Sequence, residues 1–482
     1  MKMKLIAPLL LTALLSPRLF AGWSEPVRLT YRGHEMNPQI IAIHDTVHVA
    51  WTQIADSEKV SYIRSVDGGQ SWGEIINLSS WGHHGAFVDL SKNGGRLFAG
   101  WADYPPSGHA NIGYSITLDG LNWSTPAFML GNNSNFGNPI AATMSGDTIY
   151  GVYYSHSQDS TGNIPFRFIY SSDQGQTWSN EQTIAYAPSY YCNSLIINKC
   201  RGVLFVVWTA IPFPENTTWE CQVVISRDGG QTWEPKTILS QNGGRPAQAA
   251  CLSCNRLNGF VAVGWMDYSY PGFLYLRITG NLGYTWGPEI HAITSHYISD
   301  PNIDFVGDTL WATWKDGSFA DNWQIGYSKS IDQGHNWSEI ERISITTGTS
   351  MTPWLSYNHG KVHLVWQEES DSTGRDIYYR RWQSGDDINE ITNPTSYSLL
   401  KSYPNPFNST TKIMYKNIEG GEIWIYDIAG RLVKEFDVKD SREGAIEWEA
   451  IDNLGERIST GIYLAKARIQ HGLITLKMIY LK

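Results

Sequence analysis

The chain has 482 residues and a formal net charge of −10, and it contains no basic run. This charge balance argues against nucleic acid and anionic membranes as partners. Hydrophobic residues make up 42% of the sequence and charged residues 17%, and there are 21 Trp and 26 Tyr, a composition typical of a large folded β protein rather than a disordered chain.

The first 21 residues have the pattern of a signal peptide. Lys2 and Lys4 precede an apolar stretch at residues 5–15, and Ala21 stands where cleavage is expected. The later sequence has no run of 18 consecutive apolar residues, so we expect no transmembrane helix in the mature chain.

Residues 22–383 repeat one unit about every 53 residues, a period typical of solenoids and propellers. The clearest part of the unit is the loop pattern Ser/Thr-x-Asp-x-Gly-x-x-Trp. Complete copies lie at residues 65–72, 171–178, 226–233 and 330–337, and degenerate copies at 115–123 and 279–286. The acidic side chain can accept hydrogen bonds from loop N–H groups, and the Gly can adopt a positive φ. We therefore expect a structural role for Asp67, Asp173, Asp228, Asn281 and Asp332.

This loop resembles the Asp-box, or BNR repeat, of the sialidase-like β-propellers. The resemblance implies an all-β propeller with four-stranded antiparallel blades and a box on the turn between the third and fourth strands. Seven second-strand segments are present against six boxes. They are residues 46–51, 96–101, 148–153, 203–208, 260–265, 309–314 and 361–366. Seven blades are therefore predicted, and six blades with an incomplete extra unit are the alternative.

The seventh unit ends near Trp382 without a box or a fourth strand. Residues 22–30 (GWSEPVRLT) are similar to the segment that follows each box, such as residues 336–344 (NWSEIERIS). We predict that residues 22–30 form the outer strand of the last blade, because ring closure removes exposed strand edges.

All five cysteines lie in the fourth and fifth units. Export permits disulfides, and an odd number leaves at least one thiol over. Cys200 and Cys254 lie at equivalent turns of neighbouring units, so we predict a bridge between them. Five unbridged, buried cysteines are the alternative. The Cys and His spacings do not match zinc sites, and the sequence implies no cofactor.

The sequence changes character after the propeller units. Residues 384–397 are rich in Asp, Asn, Thr and Ser and are predicted to be a linker. Residues 398–482, with the segment 400–408 (LKSYPNPFN) near their start, resemble the type A C-terminal sorting domain of the type IX secretion system. The resemblance implies an antiparallel β-sandwich, a contact with the type IX machinery, and a secreted or cell-surface location. An ordinary β-sandwich accessory or carbohydrate-binding module is the alternative.

The resemblance also places the boxes on the face opposite the usual propeller site. The functional face then carries the loops that enter each first strand and those between second and third strands, and such loops commonly carry function. Before the recurrent Pro, or its equivalent, stand Asn37, His84, Asn138, Cys192, Arg245, Asp300 and Thr352. The other loops contribute Asp103, Tyr104, His109, Tyr154, His156, Trp219, Asp267, Tyr268, Tyr270, Asp316, Trp323, Glu368 and Arg375.

Aromatic rings with a few carboxylates, His and Arg suit sugars, whose apolar faces stack and whose hydroxyls need polar partners. Carbohydrate is therefore the expected ligand. The selected substrate-binding candidates are Asn37, Asn138, Arg245, Asp300, Asp103, Asp267 and Trp323.

Two enzymatic hypotheses follow from the resemblance. Some seven-bladed Asp-box propellers, the ulvan lyases among them, use two His, a Tyr and an Arg of the second and third blades. His84, His109, Tyr154 and Arg167 match that order, which implies β-elimination on a uronate. The hypothesis requires these four residues to converge in one cleft.

The second enzymatic hypothesis is an exo-sialidase. That chemistry needs an Arg cluster around the substrate carboxylate. Here the place of the family's first-blade Arg-Ile-Pro motif is occupied by residues 34–38 (HEMNP), and Arg245 alone fills an equivalent position. Sialidase propellers also have six blades.

The favoured hypothesis is a surface propeller that binds glycan or protein, because a propeller fold does not select one activity. The sequence thus predicts an exported protein that binds or processes carbohydrate. It leaves open the substrate, the oligomeric state, and the removal of the sorting domain.

Overall fold

The computed structural model of the chain describes most of residues 22–481. The described ranges are 22–54, 58–79, 83–93, 95–105, 111–130, 136–155, 163–188, 192–211, 218–241, 245–256, 258–267, 269–319, 322–358, 360–370, 374–383, 399–416, 419–428, 431–438, 443–453, 455–469 and 472–481. The chain divides into two compact units, 1–385 and 386–482. The predicted signal peptide and linker lie outside the described residues. Within these ranges no helix is long and apolar enough to cross a membrane.

The first unit consists of antiparallel sheets, each built from consecutive strands. Sheets 1 to 3 contain Glu35–Ile43, Thr46–Ile54, Glu58–Ser65 and Ile76–Asn77; then His84–Asn93, Arg96–Tyr104, Asn111–Thr117 and Ala127–Phe128; then Phe136–Ser145, Thr148–Ser155, Asn163–Ser171 and Gln182–Pro188. Sheets 4 to 6 contain Cys192–Cys200, Val203–Ala210, Glu220–Ser226 and Thr237–Ile238; then Gln248–Cys254, Val261–Asp267, Gly272–Thr279 and Ile290–Ser295; then Ile298–Val306, Thr309–Asp316, Gln324–Ser330 and Glu341–Arg342.

Sheet 7 combines the two ends of this unit. Its own strands are Thr349–Asn358, Lys361–Ser370 and Gly374–Gln383. Gly22–Trp23 and Val27–Arg28 pair antiparallel with Gly374–Gln383 and supply the outer edge. This is the strand pairing that the similarity of residues 22–30 to the post-box segments predicts.

Neighbouring sheets pack through their faces. The second strands are the most deeply buried, and every residue of Val203–Ala210 is buried. Apolar and β-branched side chains can therefore follow one another without alternation, because both faces of the strand are covered. The first strands contact one another in the order of sheets 1 to 7, and the first strand of sheet 7 also contacts that of sheet 1.

Polar side chains tie adjacent first strands together. In each of these bonds a backbone N–H of one sheet donates to a side-chain oxygen of the preceding sheet. The pairs are Leu90 to Gln39, Ala142 to Asp89, Met144 to Ser91, Phe305 to Ser253, Leu355 to Asn302, and Ala42 to Ser356. The last pair joins sheet 1 to sheet 7, so it spans the two ends of the unit.

The boxes form the turns between third and fourth strands. In the first box, Asp67 Oδ1 accepts a hydrogen bond of 2.8 Å from Ser71 N, and Ser71 Oγ donates to Asp67 Oδ2 at 2.5 Å. These hydrogen bonds hold the pKa of Asp67 below its ordinary value, although partial burial opposes them. The box acids are therefore satisfied by their own loops, as expected for a structural role.

Each box also joins its sheet to the preceding one. The ring of Trp178 lies edge-on against Tyr114, with centroids 5.4 Å apart. Gly175 has a φ of +86°, and a Cβ atom there would lie 2.8 Å from Tyr114 Cε2. The box therefore needs Gly for both backbone conformation and space. Trp72 packs in the same way on Tyr379 of sheet 7, with centroids 4.9 Å apart.

One disulfide links sheets 4 and 5. Cys200 and Cys254 end the first strands of these sheets, their Cα atoms lie 5.8 Å apart, and their sulfurs are bonded. The predicted bridge is confirmed. Cys192, Cys221 and Cys251 are free thiols, and burial raises the pKa of Cys251 to about 12, so it is an unreactive thiol near neutral pH.

The second unit contains two antiparallel sheets. The first has Leu399–Tyr403, Thr411–Lys416 and Glu443–Trp448 in that order, and the second has the spatial order Leu432–Asp437, Glu419–Asp427, Gly461–Ile469 and Gly472–Tyr480. Both sheets contribute to one core, in which Ile413, Ile425 and Met478 are fully buried. A shared core between two sheets is the arrangement of a β-sandwich.

Candidate functional site

The strand order separates two ends of each sheet. Because the strands are antiparallel, first strands begin, second strands end and third strands begin at the same end, which we call the entry end. The boxes and the turns between first and second strands lie at the opposite, box end. All of the sequence-derived candidate ligands that the structure describes lie at or near the entry end, except Arg167, which lies within a strand.

Each first strand carries a β-bulge near the entry end. The pairing with the second strand shifts between Met36 and Gln39 in sheet 1, and equivalent shifts occur in the other six sheets. Six residues at these bulges are non-glycine residues with positive φ, namely Asn37, Phe87, Ser194, Ala249, Asp300 and Thr352. Such a conformation is uncommon, and for a β-branched residue such as Thr352 it is strained.

The bulges can be compared with the seven positions that the sequence placed before the recurrent Pro or its equivalent. Asn37, Asp300 and Thr352 lie at these bulges. His84, Cys192 and Arg245 do not, because the bulges of their sheets fall at Phe87, Ser194 and Ala249. The side chain of Asn138 lies outside the described residues, although its backbone belongs to the bulge of sheet 3.

A cavity of about 480 Å³ lies between the first strands, and all seven of them line it. Asn37, Phe87, Asp300 and Thr352 belong to its lining, together with deeper polar groups. Among the latter, burial raises the pKa of Asp89 to about 6, although hydrogen bonds oppose the shift. Burial lowers the pKa of Lys92, whose Nζ atom donates to Ala42 O at 2.6 Å.

The acids at the ends of the second strands are structural. Asp103, Asp267 and Asp316 are each 0% exposed. Asp316 accepts hydrogen bonds from Trp314 Nε1 at 2.6 Å and from Ser295 Oγ at 2.7 Å. Glu368 is bound in the same way by Trp366 Nε1 at 3.1 Å. This corrects the assignment of Asp103 and Asp267 as substrate ligands, because their carboxylates have no surface for a sugar.

In sheets 2 and 5 a side chain from just before the first strand also contacts this carboxylate, and we call each buried acid together with its donors a cap. His83 Nδ1 lies 2.6 Å from Asp103, and Arg245 Nη1 lies 3.5 Å from Asp267. The side chain of Arg245 is 48% exposed and lies over the Phe273 ring. Arg245 is therefore already paired with a carboxylate of its own sheet. Arg375, another entry-end arginine, lies 3.3 Å from Glu369. Neither side chain is arranged around a substrate carboxylate, as a sialidase site requires.

The structure separates two members of the proposed lyase set. Tyr154 pairs with Phe166, whereas Arg167 pairs with Tyr153. Directly paired residues share a face of a sheet and successive residues alternate, so Tyr154 and Arg167 lie on opposite faces. Arg167 donates instead to Thr183 of the outer strand. His109 lies outside the described residues, and so do His156 and Tyr268. Tyr154 and Arg167 therefore do not converge in one cleft, as the lyase hypothesis requires.

Of the other two members of that set, the structure describes only His84. His84 is exposed, and its Nδ1 atom accepts a weak hydrogen bond of 3.4 Å from Glu58 N. Burial raises the pKa of Tyr154, and burial and Glu58 raise that of Tyr104. A general base must lose its proton readily, so raised pKa values disfavour the two tyrosines in that role.

Aromatic rings accumulate at the entry ends of sheets 5 and 6. Tyr270 stacks on His296 with centroids 5.8 Å apart, and it lies 5.5 Å from Tyr297. Tyr297 in turn lies 5.8 Å from Trp323. We call Tyr270, His296, Tyr297 and Trp323 the aromatic platform. The sequence placed Tyr270 in the loops of the functional face and gave Trp323 as a substrate-binding candidate. It missed His296 and Tyr297, which precede a first strand and belong to no recurrent motif.

Known families and structures resemble parts of the chain. Residues 95–256 match the BNR repeat-like domain, and residues 401–481 match the secretion system C-terminal sorting domain. The sorting domain indicates type IX secretion to the cell surface or the extracellular space. A comparison with curated proteins gives no match.

Among solved structures, a polysaccharide lyase described as an ulvan lyase has a TM-score of 0.54 at 10% identity, covering 73% of this chain and 95% of its own. This likeness shows the fold alone. A Trypanosoma rangeli sialidase has a TM-score of 0.46 at 10% identity, covering 95% and 89%. A Dyadobacter fermentans protein of unknown function has a TM-score of 0.47 at 12% identity, covering 63% and 96%.

Proposed function

We propose that this exported protein, with its BNR repeat-like segment and its C-terminal sorting domain, is a closed seven-bladed propeller that binds carbohydrate at the mouth of its central cavity. The seven sheets with cyclic first-strand contacts support the ring. The packing of Trp72 on Tyr379 supports its closure between the first and last sheets.

The observation that carries the proposal is the composition of the cavity mouth. Asn37 and Asp300 contribute polar side chains to its lining, and Phe87 contributes a ring that is 49% exposed. Protein sites for small ligands have volumes of about 300–1,000 Å³ and combine apolar walls with a few polar groups. The cavity falls in this range, and an aromatic ring beside amide and carboxylate groups suits the apolar face and the hydroxyl groups of a sugar.

We favour binding over catalysis because the acids, arginines and tyrosine that could act as catalysts are not arranged around a substrate. The entry-end carboxylates of sheets 2, 5, 6 and 7 are buried and already bind donors within the caps. The arginines at positions 245 and 375 are paired with acids, and Tyr154 and Arg167 lie on opposite faces. The exo-sialidase and the uronate lyase therefore remain alternatives without support from the described residues.

The test is a binding and activity screen of the full chain. Affinity electrophoresis through β-glucan, xylan, galactomannan, alginate and polygalacturonate measures retention, while absorbance of unsaturated uronate and release of free sialic acid from sialyllactose measure the two activities. We expect retention on at least one polysaccharide and no product in either activity assay.

Two substitutions at the mouth locate the site. Phe87→Asn removes the ring but keeps a residue that tolerates positive φ, and Asp300→Asn removes only the charge. We expect both to reduce retention. Retention by the parent chain that neither substitution changes would place the site elsewhere, and product in an activity assay would establish an enzyme.

A further inference from the structure

We infer that the aromatic platform is a second carbohydrate-binding site, which holds further units of a polysaccharide chain whose first units occupy the cavity mouth. The inference deepens the proposed function, on which its choice of ligand rests. It also explains why rings that do not line the cavity are nevertheless grouped beside it.

The platform is a surface feature and not part of the core. Tyr270 is 67% exposed and Tyr297 is 44% exposed. Isolated exposed aromatic residues need no explanation, but a contiguous exposed group commonly marks a binding site. Here three elements contribute to one group: the loops before Gly272–Thr279 and Gln324–Ser330, and the segment before Ile298–Val306.

The loops hold the rings in place before any ligand arrives. Gly317 N donates to Tyr297 O at 3.1 Å, which ties the loop of Trp323 to the segment of Tyr297. A Cβ atom at Gly317 would lie 3.1 Å from Tyr297 Cβ and 3.3 Å from Trp323 Cζ3. The absence of a side chain at Gly317 therefore lets both rings approach. A rigid group of rings loses little conformational entropy on binding.

The chemistry of the platform fits sugar rings better than a protein surface. Its four members are aromatic or heteroaromatic, and each has a polar atom at the ring edge. Lys315 Nζ lies 4.6 Å from the Trp323 ring centroid and adds a cationic donor. Sugar C–H faces can stack on the rings while hydroxyl groups bond to the ring-edge atoms and to the ammonium group.

The distance between the platform and the cavity mouth favours a ligand that is a chain of sugar units. Tyr297 and Asp300 are three residues apart on the segment that enters sheet 6, and an extended chain rises about 3.3 Å per residue, so their Cα atoms are about 10 Å apart. Both lie at the entry end. A single sugar at the mouth would leave the platform empty, whereas an oligosaccharide can occupy both.

The experiment compares platform variants of the full chain by affinity electrophoresis on the five polysaccharides named above. Tyr270→Ala and Trp323→Ala are each expected to weaken retention about tenfold, the loss expected for one ring contact, and Trp323→Phe is expected to retain most of the affinity. Tyr284→Ala is the matched control, because Tyr284 is 70% exposed but belongs to a box turn at the opposite end.

Four outcomes separate the two proposals. Weaker retention in both platform and mouth variants supports both. Loss in the platform variants alone supports binding at the platform but overturns the mouth site, and with it a chain that spans both. Loss in the mouth variants alone, or an equal effect of Tyr284→Ala, overturns the platform. No retention of the parent chain on any of the five polysaccharides overturns both.

Discussion

His83 Nδ1 lies 2.6 Å from a carboxylate oxygen of Asp103, whose other oxygen accepts a hydrogen bond of 3.1 Å from Trp101 Nε1. Out of context, this pair resembles the histidine and carboxylate of an acid–base catalyst. Equivalent acids in sheets 6 and 7 make the same bond to a tryptophan and receive hydroxyl donors in place of the histidine. His83 and Asp103 therefore form a structural cap like those of sheets 6 and 7.

We therefore predict that Asp103→Ala lowers the free energy of unfolding by about 1–3 kcal/mol, the cost of leaving buried donors unsatisfied. Asp103→Asn should cost less, because its amide oxygen can still accept from Trp101. Thermal unfolding of the full chain, followed by near-ultraviolet circular dichroism, measures the difference. Asp316→Ala should behave like Asp103→Ala, and an unchanged melting temperature in both would reject the cap.

The disulfide gives a prediction that a chemical count can check. Under denaturing, non-reducing conditions the protein should show three thiols, those of Cys192, Cys221 and Cys251, and five after reduction. A bridge that closes a loop of 54 residues stabilises a fold by about 4 kcal/mol in the chain-entropy model. The double substitution of Cys200 and Cys254 by Ser should lower the melting temperature and make it insensitive to dithiothreitol. A count of five thiols before reduction would exclude the bridge.

The raised pKa of Asp89 predicts that the stability of the protein depends on pH. Burial raises its pKa to about 6 in the folded state, above the value of about 3.9 expected in the unfolded chain. Between these values the folded state binds more protons, so stability falls as pH rises from about 4 to about 6, by up to about 3 kcal/mol.

The substitution Asp89→Asn removes this dependence and keeps an acceptor for Ala142 N. We expect the variant to unfold at a higher temperature than the parent at pH 7.5 and at nearly the same temperature at pH 4. Melting curves across this range provide the measurement. A difference between the two proteins that stays constant with pH would show that Asp89 is not the group responsible.

The fifth box offers a substitution that should stabilise the protein. Asn281 Nδ2 donates to Thr285 Oγ1 at 2.8 Å, whereas in the fourth box Thr232 Oγ1 donates to the Asp228 carboxylate at 2.5 Å. Asn281→Asp would replace a neutral bond by a stronger, charge-assisted one. We expect the melting temperature at pH 7 to rise by about 1–2 °C.

The gain from Asn281→Asp should depend on ionisation. Hydrogen bonds from Thr232 lower the pKa of Asp228, the model for the new acid. A group with a lowered folded-state pKa stabilises the fold above its unfolded pKa and loses that effect as pH falls through its folded pKa. The advantage of the variant should therefore shrink in acid. A gain that persists unchanged at low pH would point to a cause other than the carboxylate.

The sequence predicted the features that repeat. The similarity of residues 22–30 to post-box segments and the equivalent positions of Cys200 and Cys254 each predicted a pairing that the structure contains. A repeat constrains these features because one local motif determines the turn, and its position in the next unit determines the neighbour.

The candidate site was less predictable, for a physical reason. The bulges of sheets 1, 6 and 7 are followed by Pro38, Pro301 and Pro353, but those of sheets 2, 4 and 5 are followed by Val88, Leu195 and Ala250. A bulge is a backbone conformation that many residues can adopt when neighbouring strands support it. Pro therefore marks only some of the bulges, which misplaced His84, Cys192 and Arg245.

The buried acids were assigned to a ligand because a sequence does not show burial directly. A signal was nevertheless present. The spacing Trp-x-Asp or Trp-x-Glu occurs at the ends of four second strands, including those of Asp103 and Asp267. An acid that recurs in register with a buried tryptophan is a feature of the repeat, as the box acid is, whereas a ligand-binding residue need occur only once.

The pairing of Val27 with Tyr379 has a consequence for how the protein is made. The partner of the strand Val27–Arg28 is among the last parts of the first unit to be synthesised, and contacts between such distant segments form slowly because a long chain must first close. Until then sheet 7 has an unpaired edge, which can pair with another molecule. Failure of this pairing should therefore promote aggregation, and its formation should be the slow step by which an exported molecule becomes resistant to proteases.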